Sequence, residues 1–136
     1  MNLKTLINRN NFFILSIFIF AIVINYYYAS LGAFPLDTFF HFDLGYRILQ
    51  GEVHFTDIWM VSGVLVNYIQ AFFFYVLGIN WTSYVFHASL INATYCLFVY
   101  LILYSFKLKK RYCFFYSILS AIIFYPTVGT PFVDHH

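Results

Sequence analysis

Three stretches of this chain carry no Asp, Glu, Lys or Arg: residues 10–36, 58–106 and 112–133, which are 27, 49 and 22 residues long. A helix needs about 20 apolar residues to cross a hydrocarbon core. Each stretch is long enough for one crossing, and the middle one for two. A charge content of 9%, against 62% apolar residues, leaves too little to clothe a water-facing surface. The expected fold class is therefore all-α, a polytopic membrane protein in one domain, residues 1–136. A secretory signal peptide is the competing reading of the first run. That run extends over residues 11–31, longer than a 7–15-residue signal core, so it is read as a spanning helix.

Where the few charges fall then sets the topology. Lys4 and Arg9 precede the first run, and Lys107, Lys109, Lys110 and Arg111 form the one basic cluster. Such a short patch between two apolar runs reads as a membrane-flanking anchor, with no nucleic acid as partner. Gly78-Ile79-Asn80-Trp81-Thr82 divides the long run into 61–77 and 84–106. If both pieces span, the basic cluster lands outside, against the positive-inside rule. If 61–77 lies along the outer interface, both basic sites fall on the cytoplasmic side. About three spans are thus expected, over 11–31, 84–106 and 112–128, with an outer loop at 32–83.

That loop is expected to hold amphipathic interfacial helices over 38–50 and 61–77. In the first, Asp43 and Arg47 stand at i, i+4, where they can pair, and Gly51 stops the helix. In the second, Ser62, Asn67 and Gln70 share one side, read as the wet side of a surface helix. All five acids fall on the outer face: Asp37, Asp43, Glu52, Asp57 and Asp134.

Three clusters could carry chemistry. Asp37 and His41 stand at i, i+4 just past the first span; a carboxylate there can act as general base or hold a divalent ion. It can equally cap the helix that follows. The run Glu52-Val53-His54-Phe55-Thr56-Asp57-Ile58-Trp59 is a polar loop, with Trp59 suited to the headgroup level. Asp134, His135 and His136 mix carboxylate and imidazole ligands at the chain's end. A divalent metal is the one cofactor these residues suit, with Asp37, Asp134 and His135 as candidate ligands. His87 lies within an apolar run, a default functional candidate, although a solvated interfacial His fits the same position. The spacing of Cys96 and Cys113 matches no zinc or redox motif.

The stretch Asp37–Gly78, above all DTFFHFDLGYRILQGEVHFTDIWMVSG, resembles the N-terminus of C-type polytopic membrane glycosyltransferases, of the protein mannosyltransferase and lipid A aminoarabinose transferase kind. The order of elements carries the likeness: a short basic N-terminus, one span, an acid at once, a helix ending Leu-x-Gly-Glu, then Phe-Thr-Asp-Ile-Trp. Phe40 departs from a common Tyr, and His54-Phe55 from Pro-Tyr.

The resemblance implies a first outer loop with two juxtamembrane helices and a polyprenyl-phosphate sugar donor. It implies a catalytic acid at Asp37, assisted by Asp134. His41, Arg47, Asp57 and His135 are the substrate-binding candidates. It also implies a bacterial inner membrane, an N-terminus in the cytoplasm and a site on the periplasmic face. Such enzymes have many more spans, so the chain is expected to be the N-terminal portion of one, inactive alone. A non-enzymatic membrane subunit or assembly partner, docking through its polar outer loop, is the alternative.

Overall fold

The computed structural model describes residues 3–32, 39–60, 63–124 and 129–131, with side chains from residue 11 onward. Five helices follow one another among these residues: α1 (Leu3–Ala29), α2 (Phe40–Leu49), α3 (Leu65–Leu77), α4 (Trp81–Ser105) and α5 (Lys110–Ile123). Two of them are long and apolar enough to cross a membrane, α1 over Asn11–Ala29 and α4 over Trp81–Ser105.

Local signals explain the ends of these helices. Gly51 follows α2 with φ +93°, its N–H donating to the carbonyl of Ile48 at 3.0 Å. This is the left-handed stop that glycine supplies without steric cost. At the start of α4, Asn80 Oδ1 accepts from the Ser83 N–H at 2.9 Å. That cap draws Trp81 and Thr82 into the helix, so α4 begins three residues earlier than the reading that placed them in a loop.

α1, α4 and α5 pack together as a bundle in which successive helices reverse direction. Tyr26 Oη donates to the Thr82 carbonyl at 3.1 Å near the end of α1 and the start of α4. Phe13, early in α1, meets Phe114, early in α5, with ring centroids 5.1 Å apart. Small and polar residues fill the seam: Ala21, Asn25 and Ala29 from α1, and Ala88, Ser89, Asn92, Ala93 and Cys96 from α4. Asn25 Nδ2 donates to Ser89 Oγ at 3.0 Å, and Asn92 Nδ2 to the Ala121 carbonyl at 3.2 Å. Large apolar residues point the other way. Phe12, Leu15, Ile19, Val23 and Tyr27 form an exposed stripe at helical spacing along α1.

α2 and α3 pack on each other and cap the first turns of α4. Phe42 and Phe74 both pack on Tyr84, and Phe39 on Trp81. α3 has 13 residues, rising about 20 Å at about 1.5 Å each, short of a hydrocarbon core. The described acids Asp43, Glu52 and Asp57 belong to this layer, whereas the basic turn 107–111 follows the other end of α4. α5 is shorter than the span expected at 112–128. Its 14 residues end at Ile123, and residues 125–128 lie outside the described ones.

Candidate functional site

The α2–α3 contact begins with a missing side chain. Gly45 faces α3 so closely that a Cβ there would stand 2.7 Å from Gln70 Cγ and 3.1 Å from Gln70 Cβ. The near end of a buried side chain has no room to retreat. Gly45→Ala is therefore expected to destabilise the α2–α3 layer by about 1–3 kcal/mol, read as a lower melting temperature in detergent. Adding Gln70→Ala, which removes the clashing Cγ, should recover part of the loss.

This approach brings polar groups together away from solvent. His41 Nδ1 lies 2.8 Å from Asn67 Oδ1. Asn67 Nδ2 lies 2.9 Å from Met60 Sδ and 3.4 Å from His54 Nε2. One turn further along α3, Gln70 Oε1 lies 2.8 Å from His87 Nδ1, and the Phe73 ring stacks on the His87 imidazole at 5.2 Å. All five polar side chains are buried, at no more than 6% exposure. With the Asn67 and Gln70 carbonyls facing them, His41 and His87 each donate through Nδ1–H. His54 instead accepts through Nε2, leaving its buried Nδ1 without a hydrogen-bond partner.

Two expectations are corrected here. Asn67 and Gln70 do not form a wet side of α3; both are fully buried. Leu65, Phe72 and Tyr75 face outward instead. The polar stripe meets α2, α4 and the 54–60 segment, leaving Gln70 Nε2 a buried amide nitrogen without a hydrogen-bond partner. The second concerns Arg47, whose ion-pair partner is Glu52 rather than Asp43: Arg47 Nε donates to Glu52 Oε2 at 2.7 Å. Past the Gly51 stop, the chain turns back and delivers Glu52 to the end of α2. This hydrogen bond, opposed by a smaller desolvation effect, pushes the Arg47 pKa above its ordinary value, so the guanidinium stays charged.

The sequence-derived site residues thus fall into two described groups. His41 joins the buried cluster with Asn67 and His54. Arg47 and Asp57 join each other in the 52–58 turn: Arg47 Nη2 donates to the Asp57 carbonyl at 3.1 Å, and Asp57 Oδ2 accepts from the Val53 N–H at 2.9 Å. Asp37, Asp134 and His135, which include both catalytic candidates and all three metal candidates, lie outside the described residues. Among the described residues, no group of three or more His, Cys, Asp or Glu is arranged to hold a metal ion. Cys96 and Cys113 are free and buried.

The segments leading to the two acids start from one place. α1 ends at Ala29, eight positions before Asp37, and Gly129 stands five before Asp134. Gly129 has φ +71°, and a Cβ there would fall 2.8 Å from both the N and the Cα of Ala29. The Gly129 carbonyl accepts from Asn25 Nδ2 at 3.2 Å. Beside this contact, at the junction of α1, α3 and α4, is an open cleft of about 510 Å³ lined by Tyr26, Leu77, Asn80, Thr82, Ser83 and Phe86.

Sequence reasoning missed Gly45 and the joining of Asn67 to His41 and His54. The available signal was two amides three residues apart in an otherwise apolar helix. No protein-family model, curated protein or solved structure matches the chain.

Proposed function

We propose that this chain is an integral membrane protein and the N-terminal portion of a C-type glycosyltransferase. That enzyme transfers a sugar from polyprenyl phosphate to an acceptor at the outer face of a bacterial inner membrane. The pattern of burial and exposure supports the membrane reading. Amides, histidines and small residues are inside, while Phe, Leu, Ile and Tyr side chains cover α1 and α3. Helices packed through small and polar seams, with large apolar residues outward, suit lipid as solvent. α1 and α4 then cross in opposite directions, and α2 and α3 are the juxtamembrane pair; a third pass over 112–128 needs chain beyond the 14 residues of α5.

The observation that carries the enzymatic reading is the contact between Ala29 and Gly129 at one end of the bundle, eight residues before Asp37 and five before Asp134 in sequence. The α2–α3 layer with its buried histidines caps α4 at that same end. In the proposed reaction, Asp37 takes the proton of an acceptor hydroxyl as its oxygen attacks the anomeric carbon. The new glycosidic C–O bond forms as the bond to phosphate breaks, and polyprenyl phosphate leaves with that electron pair.

Asp37→Asn, made in the gene's native context, is expected to lower transfer from a labelled polyprenyl-phosphate sugar by about 100-fold or more. Membrane insertion should be unchanged. Full turnover in that variant would remove Asp37 from catalysis. Absence of transfer by the unaltered protein's membranes would favour the non-enzymatic subunit.

A further inference from the structure

The turn after α2 has two unlike sides. His54 and Ile58 face inward at 6% and 1% exposure, while Val53, Phe55 and Trp59 face outward at 52%, 76% and 86%. Phe55 has φ +70°, a left-handed backbone that a bulky side chain rarely adopts. Such a conformation is costly and persists only where its surroundings determine it. Here they do. The Val53 carbonyl accepts from the N–H groups of Asp57 (2.9 Å) and Ile58 (3.3 Å) and from Thr56 Oγ1 (3.2 Å). Phe55 N–H donates to the Ile58 carbonyl at 3.0 Å, Asp57 Oδ2 holds the Val53 N–H, and Arg47 ties both Glu52 and Asp57 to α2. Beneath, Ile58 packs with Leu44 and Met60. The backbone is held rigidly while two large aromatic rings project into the open.

We infer that this turn is a preformed wedge that seats Phe55 and Trp59 in the headgroup–acyl boundary of the bilayer crossed by α1 and α4. The inference rests on the membrane reading and adds the depth and orientation of the α2–α3 layer. Lipid is favoured over a protein partner because exposed large apolar side chains are not confined to the turn. Leu65, Phe72 and Tyr75 of α3 are exposed as well, and so is a stripe along α1. A bilayer covers all these faces at once, whereas a protein interface is a bounded patch. The wedge is also mixed in character: Thr56 and Asp57 are exposed between the rings. An aromatic side chain among polar groups suits the membrane–water interface, where Trp is enriched.

The chain has two tryptophans, Trp59 and Trp81, so Trp81→Phe leaves Trp59 as the sole reporter. The full chain carrying this change is reconstituted in phosphatidylcholine vesicles. Trp59 emission should shift to the blue relative to the denatured chain, with strong quenching by lipids brominated near the headgroup and weak quenching by aqueous iodide. Iodide quenching without bromolipid quenching, in protein that floats with the vesicles through alkaline carbonate, overturns the wedge and leaves the membrane reading standing. Shielding from both quenchers overturns it in favour of a protein-covered surface. Failure to float overturns the membrane reading itself. Phe55→Gly accepts the positive φ without strain and removes only the ring; it should reduce bromolipid quenching of Trp59, and an unchanged profile excludes Phe55 from the wedge.

Discussion

Gly129→Ala is expected to destabilise the protein by about 3 kcal/mol or more, the sum of two independent effects. The first is conformational. At φ +71° a side chain crowds its own carbonyl, which costs about 1–2 kcal/mol. The second is contact. The new Cβ would meet Ala29 N and Cα at 2.8 Å, and helical backbone cannot yield as a side-chain tip can. Relief requires the 129–131 segment to lift from α1, breaking the Asn25–Gly129 hydrogen bond. Gly51→Ala separates the two effects, because Gly51 has φ +93° and a Cβ there would meet nothing within 4 Å. That variant should lose the conformational part alone. Melting temperatures in detergent report both, and equal losses at the two positions would mean that Gly129 does not abut α1. Under the proposed function, Gly129→Ala should also reduce sugar transfer, since it disturbs the Ala29–Gly129 contact, eight residues before Asp37 and five before Asp134 in sequence.

Asn67→Leu should cost about 2–4 kcal/mol, although it keeps the branching at Cγ and adds apolar surface. Asn67 is the shared partner of His41, His54 and Met60. Leucine takes the Asn67 bond from two buried imidazoles at once, each at about 1–3 kcal/mol of uncompensated desolvation. A double-mutant cycle with His41→Leu isolates their link, since removing both partners of a buried bond costs less than the two single losses added. The measured stabilities should show a coupling of about 1 kcal/mol or more. Strict additivity would mean that the His41–Asn67 bond contributes nothing to the α2–α3 layer.

The two variants mark where sequence reasoning succeeded and where it stopped. Helices were legible because their signals are local: long charge-free runs and a glycine after α2. The reading of 61–77 as a separate short element also needed only neighbouring residues and the direction of charge. The polar stripe of α3 was visible, but its surroundings were not. Asn67 and Gln70 look the same in sequence whether they face water or a histidine. Gly45, a plain helical glycine in the sequence, gains its meaning only from Gln70 on another helix. Arg47 met the same limit, since the i, i+4 rule named Asp43 while a chain reversal brought Glu52 nearer.

By itself, then, the sequence determined an all-helical chain with too little charge for a water-facing surface; of the three spans it led us to expect, two, α1 and α4, are helices long and apolar enough to cross a membrane among the described residues. Composition and periodicity suffice for that, because they act along the chain. Only the tertiary structure decided which side of each helix is inside, that two histidines share one asparagine, and that Gly129 rests on Ala29. Those depend on contacts between residues 13 to 104 positions apart, where geometry rather than local propensity selects the partner.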